Sequence, residues 1–202
     1  MSTRILAISG SLRAGSKNTV LLEAMARLAA APAAAPGLDS GLASGSGHRA
    51  EVVMYECLGE LPLFNPDLDD LDGGNAPPQV LELRRRLAAS RGLLLCSPEY
   101  AHGVAGAMKN ALDWLVGSGE LMSKPVLVMN ASPTSFHAHR ALLETLRTMD
   151  AVVLERTLPP PPLGGSTVTI ESLLEAPERI AFFTSALDEL LAAIATAAAS
   201  SS

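Results

Sequence analysis

Arg4-Ile5-Leu6-Ala7-Ile8-Ser9-Gly10-Ser11-Leu12-Arg13-Ala14-Gly15-Ser16-Lys17-Asn18-Thr19 is the stretch from which the rest of the chain is read. Ile5–Ile8 is a continuous apolar run, the pattern of a strand buried on both faces. From Asn18 to Ala31, Leu21, Leu22, Met25 and Leu28 recur at helical spacing. Between run and helix lies a short loop of Gly, Ser and Arg. The unit is therefore strand, loop, helix, and the chain repeats it. Gly92–Cys96, Val126–Met129 and Val152–Leu154 read as further buried strands, and Glu51–Tyr55 as a less apolar one. Pro77–Ser90, Ala105–Val116, Ala138–Met149 and Leu173–Ala193 carry the helical period. Five such repeats predict a doubly wound α/β fold with a parallel sheet, read as one domain over 1–202 without internal repeats.

Composition narrows the function. Apolar residues make up 48% of the 202, enough for a sizeable core. Aromatics are only 3%, which argues against a stacking surface for single-stranded nucleic acid. A formal charge of −6 also argues against a nucleic-acid binder. Cys57 and Cys96 stand far apart and form no C-x-x-C motif, as expected of free thiols in a reducing compartment. No leader is read at the N-terminus and no apolar run is read as a membrane span, so the expected location is cytoplasmic. The Ala-rich stretch Leu190–Ala199 reads as a helix end. Two segments break the β-α rhythm. Pro32–Gly47, rich in Ala, Pro, Gly and Ser, reads as a surface insertion. Thr157–Thr167, with Pro159–Pro162 in succession, reads as a connecting loop.

In an open parallel sheet, ligands bind at the carboxyl ends of the strands. The loops after the first, third and fourth strands are thus the informative ones. In the first, helix N-terminal N–H groups favour an anion. Ser11, Ser16, Asn18 and Thr19 can donate hydrogen bonds, and Arg13 can make charge-assisted ones. The same residues also read as a plain turn with Ser16 or Asn18 as N-cap. Two nucleotide motifs are absent. Gly10 and Gly15 have the spacing of a Walker A loop, but Lys17 falls one place late, and no G-x-G-x-x-G follows the strand. The loop suits one terminal phosphate better than a pyrophosphate.

The third-strand loop runs Ser97-Pro98-Glu99-Tyr100-Ala101-His102-Gly103-Val104-Ala105-Gly106, then Met108-Lys109-Asn110-Ala111-Leu112-Asp113-Trp114. Gly10-Ser11-Leu12-Arg13 with Ser16 and Asn18, and Pro98-Glu99-Tyr100 with Gly106, Lys109-Asn110-Ala111 and Asp113-Trp114, together resemble the NADPH-dependent FMN reductase family. That family includes quinone, azo-dye and chromate reductases, and the resemblance spans about Arg4 to Leu154. It implies a flavodoxin-like sheet in order 2-1-3-4-5 that holds flavin mononucleotide (FMN). It puts the phosphate on Ser11, Arg13, Ser16 and Asn18. It puts the isoalloxazine along Pro98, Glu99, Tyr100, Ala101, His102 and Gly103, with the loop at Ser132, Pro133 and Thr134 flanking the ring. It implies NADPH or NADH as donor, a small-molecule acceptor, and a homodimer or homotetramer. The sequence departs from the family where Asn, Ser and Pro are common, at Ala101, Gly103 and Ala105.

Several residues carry rival readings. His137 and His139 read as a solvated pair at a helix start, since no ligand partner stands at metal spacing. His102 reads as a proton donor or as a solvent-facing loop histidine. Glu99 reads as structural. Trp114 reads as a core or subunit-interface residue. Ser9 and Ser11 lack a nucleophile elbow. A different function class, a flavodoxin-type electron carrier without nicotinamide activity, stands as the alternative to the enzyme. A member that has lost the flavin is a third.

Overall fold

The computed structural model describes residues 3–31, 50–69, 75–132, 134–158 and 168–200. The expected insertion at 32–47 and residues 159–167 of the proline-rich loop lie outside them, as does Pro133. In chain order the strands are β1 (Thr3–Ser9), β2 (Ala50–Met54), β3 (Gly92–Cys96), β4 (Glu99–Tyr100), β5 (Gly103–Val104), β6 (Pro125–Asn130) and β7 (Val152–Thr157). Five of them form one parallel sheet in the order β2-β1-β3-β6-β7. Counted within that sheet, the order is the expected 2-1-3-4-5. β4 and β5 form a separate antiparallel hairpin.

Alternation along the strands explains the layers. Leu6, Ile8, Leu93, Leu95, Val126 and Val128 face one core. It is closed by α2 (Pro78–Ala88), α3 (Gly106–Asp113) and α4 (Phe136–Thr148). Ile5, Ala7, Leu94, Cys96, Leu127 and Met129 face the other. That core is closed by α1 (Lys17–Ala30), α5 (Ile170–Leu174) and α6 (Pro177–Ser200). β3 lies in the sheet centre and is buried throughout, as its unbroken Leu run requires.

Three expectations change. The helix read over Leu173–Ala193 is two helices, because the chain breaks at Glu175-Ala176 and restarts with Pro177 as the first residue of α6. α6 is long and apolar enough to cross a membrane by length and composition alone, although no such run was expected. Phe183, Ala186, Leu187, Leu190 and Ile194 of α6 fill the core. Of the two readings given for Trp114, core and subunit interface, the core one holds: it is fully buried within the protomer. Its Nε1 donates to the Pro62 carbonyl at 2.8 Å, and its ring meets Phe64 edge-on at 5.0 Å. Asn110 joins the same fastening, donating to the Pro62 carbonyl at 2.9 Å and accepting from the Phe64 N–H at 2.8 Å. The Asn110 and Trp114 side chains thus clamp the segment around Pro62 and Phe64 onto α3. Finally, His139 is not solvated. Its side chain is mostly buried and faces Glu155 of β7 at 3.7 Å.

Candidate active site

Three loops meet at the carboxyl end of the sheet. The β1 loop touches the β3 loop through Gly10, whose N–H donates to the Cys96 carbonyl at 2.8 Å. A Cβ on Gly10 would lie 2.4 Å from Ser97 Oγ, so only glycine allows this approach. Gly15 turns the chain into α1 with φ +66°. Ser16 is the N-cap, and its Oγ accepts from the Asn18 N–H at 3.3 Å.

The hydroxyls of this loop are largely committed to shaping it. Thr19 Oγ1 donates to Ser9 Oγ at 2.8 Å, and Ser11 Oγ accepts from the Arg13 N–H at 3.3 Å. The backbone is less committed. Among the described residues the N–H groups of Leu12, Ala14, Gly15 and Thr19 find no protein acceptor. A helix N-terminus with spare N–H groups is a cradle for an anion. It opens on a cleft of about 520 Å³ walled by this loop and by Met54–Glu56 and Leu58–Glu60, which follow β2. Among the described residues Arg13 is the one cation in its lining, against Glu23, Glu56 and Glu60. These features fit one phosphate beside Arg13 and α1.

The expected ring-binding stretch is the β4–β5 hairpin. Ala101 and His102 form its tip with φ of +50° and +61°, the geometry of a two-residue primed turn. Tyr100, Ala101 and His102 are exposed, while Pro98, Glu99 and Gly103 are half-buried. Glu99 plays the structural part expected of it. Its Oε2 accepts the Ala138 N–H at 2.8 Å, in the first turn of α4, where Ser135 supplies no side-chain cap. The hairpin is thereby fastened to α4. His102 does not stand alone in solvent. Its ring lies 4.2 Å from that of His137, tilted by 47°. The β6 loop is held by Asn130, which is buried and accepts the Ser132 N–H at 3.1 Å. Ser132 Oγ bonds Thr134 Oγ1 at 2.8 Å.

Every expected cofactor residue (Ser11, Arg13, Ser16, Asn18, Thr19, Pro98–Gly103 and Ser132) therefore lies on a loop or first helical turn at this end of the sheet. Sequence reading missed the cleft wall after β2, along with Cys96, Asn130 and His137. For the wall, the rule that ligands sit at strand carboxyl ends was signal enough. Asn130 carried a weaker one, a polar residue closing an apolar strand. A larger groove of about 870 Å³ runs from Asn130 between α4 and β7, past His139, Arg140 and Glu155. Its lining includes no residue of the β1 or β3 loops, so it is not the cleft at the phosphate loop. Burial lowers the pKa of His139 below the ordinary histidine value, with Glu155 opposing, and pushes the Cys96 thiol up to about 12.

Comparison with known proteins gives the chain a family. The family described as NADPH-dependent FMN reductase matches residues 3–160. An NAD(P)H-dependent FMN reductase of Pseudomonas aeruginosa is 34% identical over 158 residues, 76% of this chain and 74% of that one. A quinone reductase of Escherichia coli is 27% identical over the same shares of the two chains. Among solved structures, FerB, a flavoenzyme NAD(P)H:acceptor oxidoreductase of Paracoccus denitrificans, superposes with a TM-score of 0.65. It is 25% identical and is covered over 97% of its length by 93% of this chain. With three quarters of its length matched and the β1 loop and the β4–β5 hairpin at one sheet end, the chain belongs to the NADPH-dependent FMN reductases, flavodoxin-like oxidoreductases that use FMN with NAD(P)H as donor.

Proposed function

We propose that the FMN phosphate binds at the N-terminus of α1, on Ser11, Arg13, Ser16, Asn18 and Thr19, and that the isoalloxazine lies along Pro98–Gly103 with Ser132 beside it. The observation that carries this placement is that, among the described residues, the N–H groups of Leu12, Ala14, Gly15 and Thr19 find no protein acceptor, in a loop that lines a cleft together with Arg13. Thr19 takes part through its N–H, because its hydroxyl proton is given to Ser9. When bound, FMN supplies the hydride-accepting and electron-donating chemistry. The chain's own residues bind and orient it. Glu99 fixes the hairpin against α4, and Asn130 fixes the loop at Ser132. Exposed Tyr100 and His102 leave one side open to a nicotinamide and, in turn, to an acceptor.

The acceptor we infer is a quinone or a free flavin, as in the names of the relatives, with azo compounds and metal oxyanions as further candidates. Two free thiols support a cytoplasmic enzyme. Exposed Val116 and Met122, beyond the end of α3, support association of the whole 202-residue domain into a homodimer or homotetramer, which light scattering measures.

Arg13→Ala tests the placement. A charge-assisted hydrogen bond contributes roughly 1.5–3 kcal/mol, so the variant loses about ten- to a hundredfold in FMN affinity while keeping its fold. Unchanged affinity would put the phosphate elsewhere. Activity is tested by mixing the flavin-loaded protein anaerobically with NADPH or NADH and following the yellow colour. Bleaching by either is expected. Failure of both would favour an electron carrier.

A further inference from the structure

Cys96 ends the central strand β3, in register with Ser9 of β1 and Met129 of β6. Its side chain is wholly buried beneath the first turn of α1. Its thiol donates to Asn18 Oδ1 at 3.1 Å. Burial keeps the thiol protonated far above neutrality, so it remains a donor throughout the working pH range.

Asn18 is the second residue of α1. Its amide has an acceptor end and a donor end, and nothing in the amide's shape chooses between them. Cys96 makes the choice. A buried S–H demands an acceptor, so Oδ1 turns inward. Nδ2 then turns to the loop, 3.4 Å from Ser16 Oγ, with its second hydrogen left over. The opposite flip would put a carbonyl oxygen where an anion is to be bound. We propose that Cys96 is a positioning residue for the cofactor phosphate: its S–H holds the Asn18 amide in the orientation that presents N–H to the anion. The inference rests on the placement of the phosphate at α1 given above.

The experiment measures FMN and riboflavin affinities by diluting flavin-loaded protein and reading the fluorescence released. Riboflavin lacks the phosphate, so the FMN-to-riboflavin ratio isolates the phosphate contact from any general loosening of the core. Cys96→Ala should weaken FMN about three- to tenfold, a fraction of one charged hydrogen bond, and leave riboflavin nearly unchanged. Cys96→Ser, which keeps a hydrogen-bond donor in place of the thiol, should recover most of that loss. In an Asn18→Ala background, Cys96→Ala should have no further effect on FMN, since the two act as one unit. Parallel losses for both flavins, Ser no better than Ala, or a penalty that persists beside Asn18→Ala would each overturn the proposal. Normal FMN affinity in Asn18→Ala alone would overturn this proposal, whereas the phosphate placement itself stands or falls with Arg13→Ala. Should Cys96→Ala not hold its fold, Cys96→Val, which fills the space without a donor, takes its place.

Discussion

At the scale of single residues, Ala101 and His139 sit in settings their side chains do not favour. Ala101 holds φ at +50°, a region that costs an L-residue about 1–2 kcal/mol and that asparagine tolerates better. Ala101→Asn should therefore raise stability by about 0.5–1 kcal/mol in denaturant unfolding. A lower stability would show that the turn is not strained. His139 is the second case. Burial makes its charged form unfavourable, so its pKa is lowered from 6.5 in the folded state. The folded protein then binds this proton less readily than the unfolded chain. The contribution of neutral His139 is complete above the ordinary histidine value and is lost as pH falls through the lowered one. Urea melts should show stability declining from about pH 6.5 downward. His139→Gln should flatten that decline.

Among the elements, the hairpin and α4 act as a pair. The Glu99 carboxylate meets the positive end of α4 and replaces the missing cap at Ser135. Glu99→Ala should cost about 1–2 kcal/mol and speed hydrogen exchange at the Ala138 amide, with Glu99→Gln intermediate. An unaltered exchange rate at Ala138 would deny the cap. This pairing also shows what the sequence hides. Strands such as Gly92–Cys96 were legible because a strand buried on both faces has one recognisable composition. The positions of the β1 loop and of the β4–β5 hairpin were legible because strand ends fix where loops emerge. Partners were not legible. Glu99 finds Ala138 across 39 positions, and Cys96 finds Asn18 across 78. No local pattern encodes such meetings; packing decides them. The break before Pro177 escaped for another reason: proline at a helix start leaves the apolar period nearly in phase.

For the molecule as a whole, the sheet is a frame with the loops of the proposed site gathered at one end. Ligand binding there should stabilise the entire fold. FMN at a hundred times its Kd should raise the unfolding free energy by about 2.7 kcal/mol, and FAD at the same concentration by less, since the loop suits a single phosphate. Equal shifts with FAD would argue for a pyrophosphate site. The frame also carries its own optical reporter. Trp114 is the sole tryptophan of the chain, shielded from water and tied to Pro62. The segment it grips continues from Leu58 and Gly59, which wall the cleft at the phosphate loop. All indole emission therefore comes from one place beside that cleft. A red shift would announce that this wall had lifted before the sheet melted. Flavins absorb where indole emits, so the same signal should dim by energy transfer as FMN enters, giving occupancy without a label.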